Sequence, residues 1–242
     1  MQFKSKVVLI TGGGSGIGKA CCQIFAERGA SVAVIDIDAK KAKSSANEIS
    51  DRNDIKGTAQ AFPADVSLLN DAKRIVDNIQ DVLGGVDTLV NCAGIQRYGT
   101  AVSTSEDTWD EVIRVNLKSM FLMSKYVLPK MIQRGGGSIV NVGSVQSLGA
   151  VADSLAYVTS KHGVLGLTRS IAIDHGRENI RATCVCPGAI DTPMLRWSIS
   201  REGDSEKVLE ICKKAHALGR IGQPNEVAKL IAFLASEEGS FL

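Results

Sequence analysis

Tyr157 and Lys161 stand at i and i+4 in a stretch with helical periodicity, so both project from one helical face. An ammonium beside a phenol favours the phenolate, the form that accepts a proton. Val142-Gly143-Ser144 ends a strand-like run and puts a hydroxyl 13 residues before Tyr157. Asn116 lies mid-helix, where Asn has poor propensity, so a role explains it better than local preference. A second group of residues is built for phosphate. Val7–Thr11 runs directly into Gly12-Gly13-Gly14-Ser15-Gly16-Ile17-Gly18, and a helical stretch follows. Glycines there let the backbone turn sharply and approach a pyrophosphate at the positive end of the helix. The spacing is Thr-Gly-x-x-x-Gly-x-Gly, at Thr11, Gly12, Gly16 and Gly18, and departs from the common GxGxxG. Asp36 closes the next strand-like run, where a carboxylate can accept hydrogen bonds from an adenosine ribose. Asp38 suits the cap of the helix that follows. A 2′-phosphate would meet repulsion at Asp36, and Ile37 rather than an arginine comes next, which points to NAD over NADP. A methyltransferase can also show a glycine loop and an acidic strand end. The Ser, Tyr, Lys and Asn set separates the two classes.

The elements that must position these residues alternate along the chain. Strand-like segments are Val7–Thr11, Ser31–Asp36, Thr58–Asp65, Asp87–Asn91, Ser138–Val142 and Ile180–Cys186. Amphipathic stretches lie between them: Ile17–Arg28, Ala39–Ser50, Leu69–Leu83, Trp109–Arg134 and Leu155–Gly176. The first three strands are rich in Val, Ile and Ala, as expected where helices cover both faces. This repeated βα order predicts an α/β fold, a doubly wound parallel β-sheet of the Rossmann kind in one domain spanning residues 1–242. Residues 188–219 carry Pro193, Met194 and Trp197 with weaker periodicity and predict an excursion of short helices, after which Asn225–Ser236 resumes a clean helix opened by Pro224.

Composition narrows the classes. The chain has 242 residues, 44% of them hydrophobic, enough for one continuous core. Lysine and arginine number 28 against 26 acidic residues, in alternating signs without a basic stripe, which argues against nucleic-acid binding. The N-terminal Met1–Lys6 has no apolar signal core, and no apolar run reaches the ~18 residues of a membrane span. The cysteines (21, 22, 92, 184, 186 and 212) and the histidines (162, 175 and 216) lack metal-ligand spacing, so no metal is expected and the thiols read as reduced core residues of a cytoplasmic protein.

Taken in order, these motifs resemble the ~250-residue branch of the short-chain dehydrogenase/reductase family. The loop containing Gly12, Ser15, Gly16, Ile17 and Gly18 resembles its cofactor loop. Asp65-Val66 resembles the pair whose carboxylate contacts the adenine amino group. Asn91-Cys92-Ala93-Gly94 resembles the family's Asn-Asn-Ala-Gly, with Cys92 in place of the second Asn. Pro187-Gly188-x-Ile190-x-Thr192 resembles the segment that holds the nicotinamide carboxamide. The resemblance implies an NAD-dependent alcohol dehydrogenase or ketone reductase. Tyr157 would be its proton acceptor, Lys161 would bind the nicotinamide ribose, Ser144 would orient the substrate oxygen, and Asn116 would hold a water linking Lys161 to solvent. It also implies a homo-oligomer, a tetramer built on Trp109–Arg134 and Leu155–Gly176. The family pattern continues into a further glycine-initiated strand, and here Gly239-Ser240-Phe241-Leu242 closes the sequence. Either a tail is omitted or the strand is missing.

Family topology would line a substrate pocket with Ile95, Gln96 and Arg97 after one turn, Val145, Gln146 and Ser147 after another, and Met194, Leu195 and Trp197 in the excursion. Gln96 and Gln146, with Ser147, would suit neighbouring hydroxyls, hence a sugar, sugar acid or polyol oxidised at a secondary alcohol. Arg97 and Arg196 could meet a carboxylate, while Met194 and Trp197 leave room for apolar surface. Rival substrates on the same scaffold are 3-oxoacyl thioesters and cyclic diols. A dinucleotide-binding sensor is the non-enzyme alternative, and it has no need of the Ser-Tyr-Lys-Asn set.

Overall fold

The structure, a computed structural model, describes residues 2–201 and 203–242. Six strands are present: β1 (Val7–Thr11), β2 (Ser31–Asp36), β3 (Thr58–Pro63), β4 (Thr88–Asn91), β5 (Gly137–Val142) and β6 (Ile180–Val185). All pair in parallel, in the order β3-β2-β1-β4-β5-β6. Successive side chains of a strand leave on opposite faces, and β1 shows the consequence. Val8 and Ile10 join one buried cluster, with Phe25 and Cys21 of α1 (Gly16–Glu27), Ala42 and Ile49 of α2 (Ala39–Ser50) and Ile231 of α9 (Pro224–Ala235). Val7 and Leu9 join the other, with Ile75 and Ile79 of α3 (Leu69–Leu83), Met123 and Val127 of α5 (Ser119–Gln133) and Ile171 of α6 (Leu155–His175). The remaining helices are α4 (Glu106–Ile113), α7 (Pro193–Ser200) and α8 (Ser205–Lys214). This is the doubly wound, single-domain α/β sheet that the alternation predicts.

Two elements differ from their predicted form. β3 is an edge strand with an alternating exposure pattern, and the chain leaves it at Pro63, so helices do not cover both of its faces. The long helix expected over Trp109–Arg134 begins earlier, at Glu106, where the Ser105 hydroxyl accepts from the Thr108 amide. A π-helical turn, Arg114–Lys118, then interrupts it before α5. Such turns are uncommon and cluster at functional sites. This one contains Asn116.

Strand β1 lies between β2 and β4, so the crossovers leave it in opposite directions. A crevice therefore opens beyond the carboxyl ends of β1 and β4, the place where open α/β sheets bind ligands. Thr11, Asp36, Asn91 and Val142 each end a strand there.

Candidate active site

The glycine loop is held open by its neighbours. Gly12 (φ +67°) and Gly16 (φ +53°) adopt the left-handed backbone that glycine tolerates. A side chain on Gly18 would bring its Cβ to 2.1 Å from the Gly12 carbonyl, so Gly18 lets α1 close on the loop and does not itself line the crevice. Ser15, at the N-cap of α1, makes no side-chain capping bond, and no acidic residue occupies the first turn. The helix therefore presents open amide donors and its positive end to the crevice, a fit for a pyrophosphate. Asp36 faces the same space. One carboxylate oxygen accepts from the Gly14 amide at 3.0 Å and the other from the Asp38 amide at 2.9 Å. Asp38, not Asp36, caps α2 by accepting from the amides of Lys40 and Lys41.

Thr11 carries a role that its position in the motif does not announce. Its hydroxyl oxygen accepts from the amides of Cys92 (3.0 Å) and Ala93 (3.1 Å), so the end of β1 fixes the turn that leaves β4. Thr11 is buried, and Thr11→Val leaves both donors without an acceptor. A loss of about 1–3 kcal/mol in unfolding free energy is expected by urea denaturation, the ~1–3 kcal/mol of each unsatisfied polar group being reduced here because both amides are part-buried at the cavity and share one acceptor.

The crevice widens into a cavity of about 960 Å³, near the upper end of the ~300–1,000 Å³ range of ligand pockets. Gly12, Ser15, Gly16, Ile17, Asp36, Asp65, Val66, Ala93 and Gly94 line it. There the Ser67 amide and hydroxyl both donate to Asp65, and Arg114 pairs with Asp65 at 3.6 Å and donates to Ser67. Ser144, Tyr157 and Lys161 line the same cavity, as do Pro187, Gly188, Ile190 and Thr192, and a Cβ on Gly16 would come within 3.3 Å of the Thr192 side chain. Lys161 is 5% exposed, and no carboxylate pairs with it among the described residues. Its ammonium donates to the Val142 carbonyl at 2.8 Å and lies 5.5 Å from the centroid of the Tyr157 ring. A buried cation without a counter-ion is costly, so it favours an anion or hydroxyls brought to it. The Ser144 oxygen accepts from the Gln146 amide at 3.1 Å, which leaves its O–H to donate into the cavity.

Asn116 is fully buried. Its carbonyl accepts from the Ile95 amide at 2.8 Å, and its amide donates to the Ile95 carbonyl (2.9 Å) and to Ser160 (3.1 Å). It thus ties the turn after β4 to α6, beside Gly94, whose missing Cβ would approach Asn116 Oδ1 at 3.3 Å and Lys161 Nζ at 3.8 Å. Asn91 also stays out of the cavity. It donates to Asn141 at 2.8 Å, and Asn141 donates to Thr168, a buried polar chain from β4 to α6. Asn141 has a sequence signal, a carboxamide inside the apolar run of β5.

The predicted substrate residues divide. Gln96, Gln146 and Met194 line the cavity. Ser147 does not, because its hydroxyl is spent on the Ser144 amide in a capping box. Trp197 is not in the lining; it packs against Tyr98, which is (ring centroids 6.1 Å apart), with the Arg201 guanidinium 4.5 Å from the Tyr98 ring. Arg97 and Arg196 already hold carboxylates, Glu111 at 2.9 Å and Asp191 at 2.7 Å. Cys92 lines the cavity with its thiol pushed up to about 11 by burial, so it stays protonated.

Residues 12–242 match the family described as enoyl-(acyl carrier protein) reductase. A 3-oxoacyl-[acyl-carrier-protein] reductase of Thermotoga maritima is 39% identical over 242 residues, covering 100% of this chain and 95% of that protein. Among solved structures, a levodione reductase superposes with a TM-score of 0.95 at 32% identity, covering 99% of this chain and 94% of that one. The aldohexose dehydrogenase of Thermoplasma acidophilum superposes with a TM-score of 0.87 at 37% identity, covering 99% and 90%. The chain belongs to the short-chain dehydrogenase/reductase family. As a member it is an oxidoreductase acting on CH–OH or C=O groups of small molecules with a nicotinamide dinucleotide. The open helix end, the glycine cradle and the uncompensated Lys161 are the features of this short-chain dehydrogenase/reductase that fit such a cofactor. No helix is long and apolar enough to cross a membrane, and no metal cluster occurs among the described residues.

Proposed function

We propose that this protein is an NAD-dependent dehydrogenase that oxidises a secondary alcohol to a ketone or lactone, and runs the reverse reduction. The observation that carries the reading is Lys161, a buried cation beside the Tyr157 ring and within the same cavity as Ser144. Ser144 donates to the substrate oxygen and orients it. Tyr157, as phenolate, takes the hydroxyl proton as the carbon–oxygen bond gains double-bond character. Lys161 stabilises the phenolate and binds ribose hydroxyls. When bound, the nicotinamide ring supplies the acceptor for the hydride that leaves the carbinol carbon. Asn116 holds the Ile95 turn and Ser160, keeping the floor beneath Lys161 in place. The residues proposed to hold the dinucleotide are those of the glycine loop, Asp36, Asp65-Val66, Ala93-Gly94 and Pro187–Thr192. Asp36 supports NAD over NADP. Six unpaired thiols support a cytoplasmic setting. Exposed Phe121 on α5 and Ile173 on α6 support a tetramer built on those helices.

For the substrate we favour a sugar or polyol with a hydroxyl beside the reacting carbon. Gln146 lines the cavity while its Oε1 is buried without a partner, so the amide gains by turning to a ligand hydroxyl. Gln96 contributes less, because its amide donates to Ser154 at 3.2 Å. A sugar acid is less well served, with Arg97 and Arg196 both paired. The aldohexose dehydrogenase likeness supports this reading. A second reading, an apolar ring alcohol or a 3-oxoacyl thioester, is favoured by Val145, Val151, Met194 and Leu195 in the lining and by the other two likenesses. A panel of sugars, polyols, cyclic alcohols and 3-oxoacyl esters, scored by NADH formed or consumed, separates them. On the sugar reading, Gln146→Leu lowers kcat/KM for the best polyol about 10–100-fold and barely changes that for cyclohexanol. Faster turnover of cyclic alcohols or 3-oxoacyl esters than of every sugar and polyol would select the second reading.

A further inference from the structure

We propose that His216 is a positioning residue that binds the substrate-side helix α8 to the Pro187–Thr192 wall, so that dinucleotide and cavity wall are held as one unit. The proposal rests on the reading that this wall holds the nicotinamide end. His216 lies just past the end of α8, within the cavity lining. Its Nδ1 is 2.6 Å from the Cys212 carbonyl, which accepts only, so the proton sits on Nδ1. Its Nε2 is therefore an acceptor, and the Ala189 amide donates to it at 3.0 Å. One neutral imidazole thus caps a carbonyl in the last turn of α8 and satisfies an amide of the cofactor-side wall.

The rest of the wall is built to receive it. A Cβ on Gly188 would come within 2.4 Å of His216 Nε2, so the ring lies flush on the Gly188 backbone. On the other side, the Gly222 amide donates to the Ala189 carbonyl and the Asp191 amide donates to the Gly222 carbonyl, both at 2.9 Å. Ala189 is gripped from both sides by chain that follows α8. With the imidazole removed, the acceptor that the segment after α8 offers the Ala189 amide is lost.

The test compares His216→Leu, which removes the acceptor, with His216→Gln, whose Oε1 reaches about where Nε2 sits. Exchange of the Ala189 amide in the ligand-free protein should quicken about tenfold or more in His216→Leu and return to within about threefold in His216→Gln. The dissociation constant for NADH, by fluorescence titration, should follow the same order, about tenfold weaker and then restored. A general structural role would lower the melting temperature without this paired recovery. Unchanged exchange in His216→Leu overturns the tie, and so does a His216→Gln as damaged as His216→Leu. Faster exchange with unchanged NADH affinity overturns the positioning role. A wild-type protein that binds neither NADH nor NADPH defeats the dinucleotide reading and this role with it, while the exchange result still judges the tie itself.

Discussion

Tyr157→Phe is expected to lower kcat by about 10²–10⁴-fold while NADH affinity stays within about threefold, because a positioned general base contributes rate and little ground-state binding. The substitution removes one oxygen and keeps the ring. Lys161 retains its hydrogen bond to the Val142 carbonyl and its place beside the ring, so the buried ammonium is not left adrift. The glycine loop, Asp36 and the 187–192 wall lie on other elements and are untouched. In the proposed mechanism Ser144 still orients the substrate oxygen, and only the destination of the proton is missing. Steady-state rates with the best substrate of the panel, alongside NADH fluorescence titration, check both halves. Activity above about a tenth of wild type would remove Tyr157 from the role of base. A matching fall in NADH affinity would show that the hydroxyl binds cofactor instead.

The pairing of Tyr157 with Lys161 was legible because a helix fixes the relation of i to i+4 before any tertiary contact is known. The sheet was legible for a similar reason, since runs such as Val7–Thr11 and Ser31–Asp36 must be buried and each is followed by a helix-period stretch. Loop residues lack such a rule. Gln96 and Arg97 are neighbours in sequence, yet one turns to Ser154 inside the cavity and the other to Glu111. Ser147 has a hydroxyl in the expected loop, but the turn after β5 needs that hydroxyl for the Ser144 amide. Trp197 follows the period of α7 onto Tyr98, so it backs a lining residue without lining the cavity itself. The π-helical turn at Arg114–Lys118 has no composition of its own, and its stabilising bonds run to the Ile95 backbone and to Ser160 of α6. Thr11 and His216 were hidden for the same reason. Their partners are backbone amides of distant segments, which leave no mark on side-chain pattern.

NAD is expected to exceed NADP by at least about 100-fold in kcat/KM, equivalent to ~2.7 kcal/mol. Two unit charges at 4 Å and an effective dielectric near 20 interact by about 4 kcal/mol, so a 2′-phosphate beside the Asp36 carboxylate suffices for this. The nearby lysine does not relieve it, because Lys41 pairs with Asp38 at 3.5 Å. Asp36 also braces the loop through the Gly14 amide, so Asp36→Ala removes the proposed ribose acceptor and a loop acceptor together. NAD efficiency should therefore drop about tenfold or more, with NADP changed much less. Asp36→Asn isolates the charge, since it keeps the size and one acceptor oxygen, and it should narrow the preference with less damage to NAD use. Ile37 lines the cavity and is 72% exposed, so an arginine fits there without disturbing the core. Asp36→Ala with Ile37→Arg should then invert the preference toward NADP, the guanidinium pairing with the phosphate. Initial rates with both cofactors for the four proteins decide the matter. Equal kcat/KM for NAD and NADP in the unmodified protein would mean that Asp36 only braces the loop.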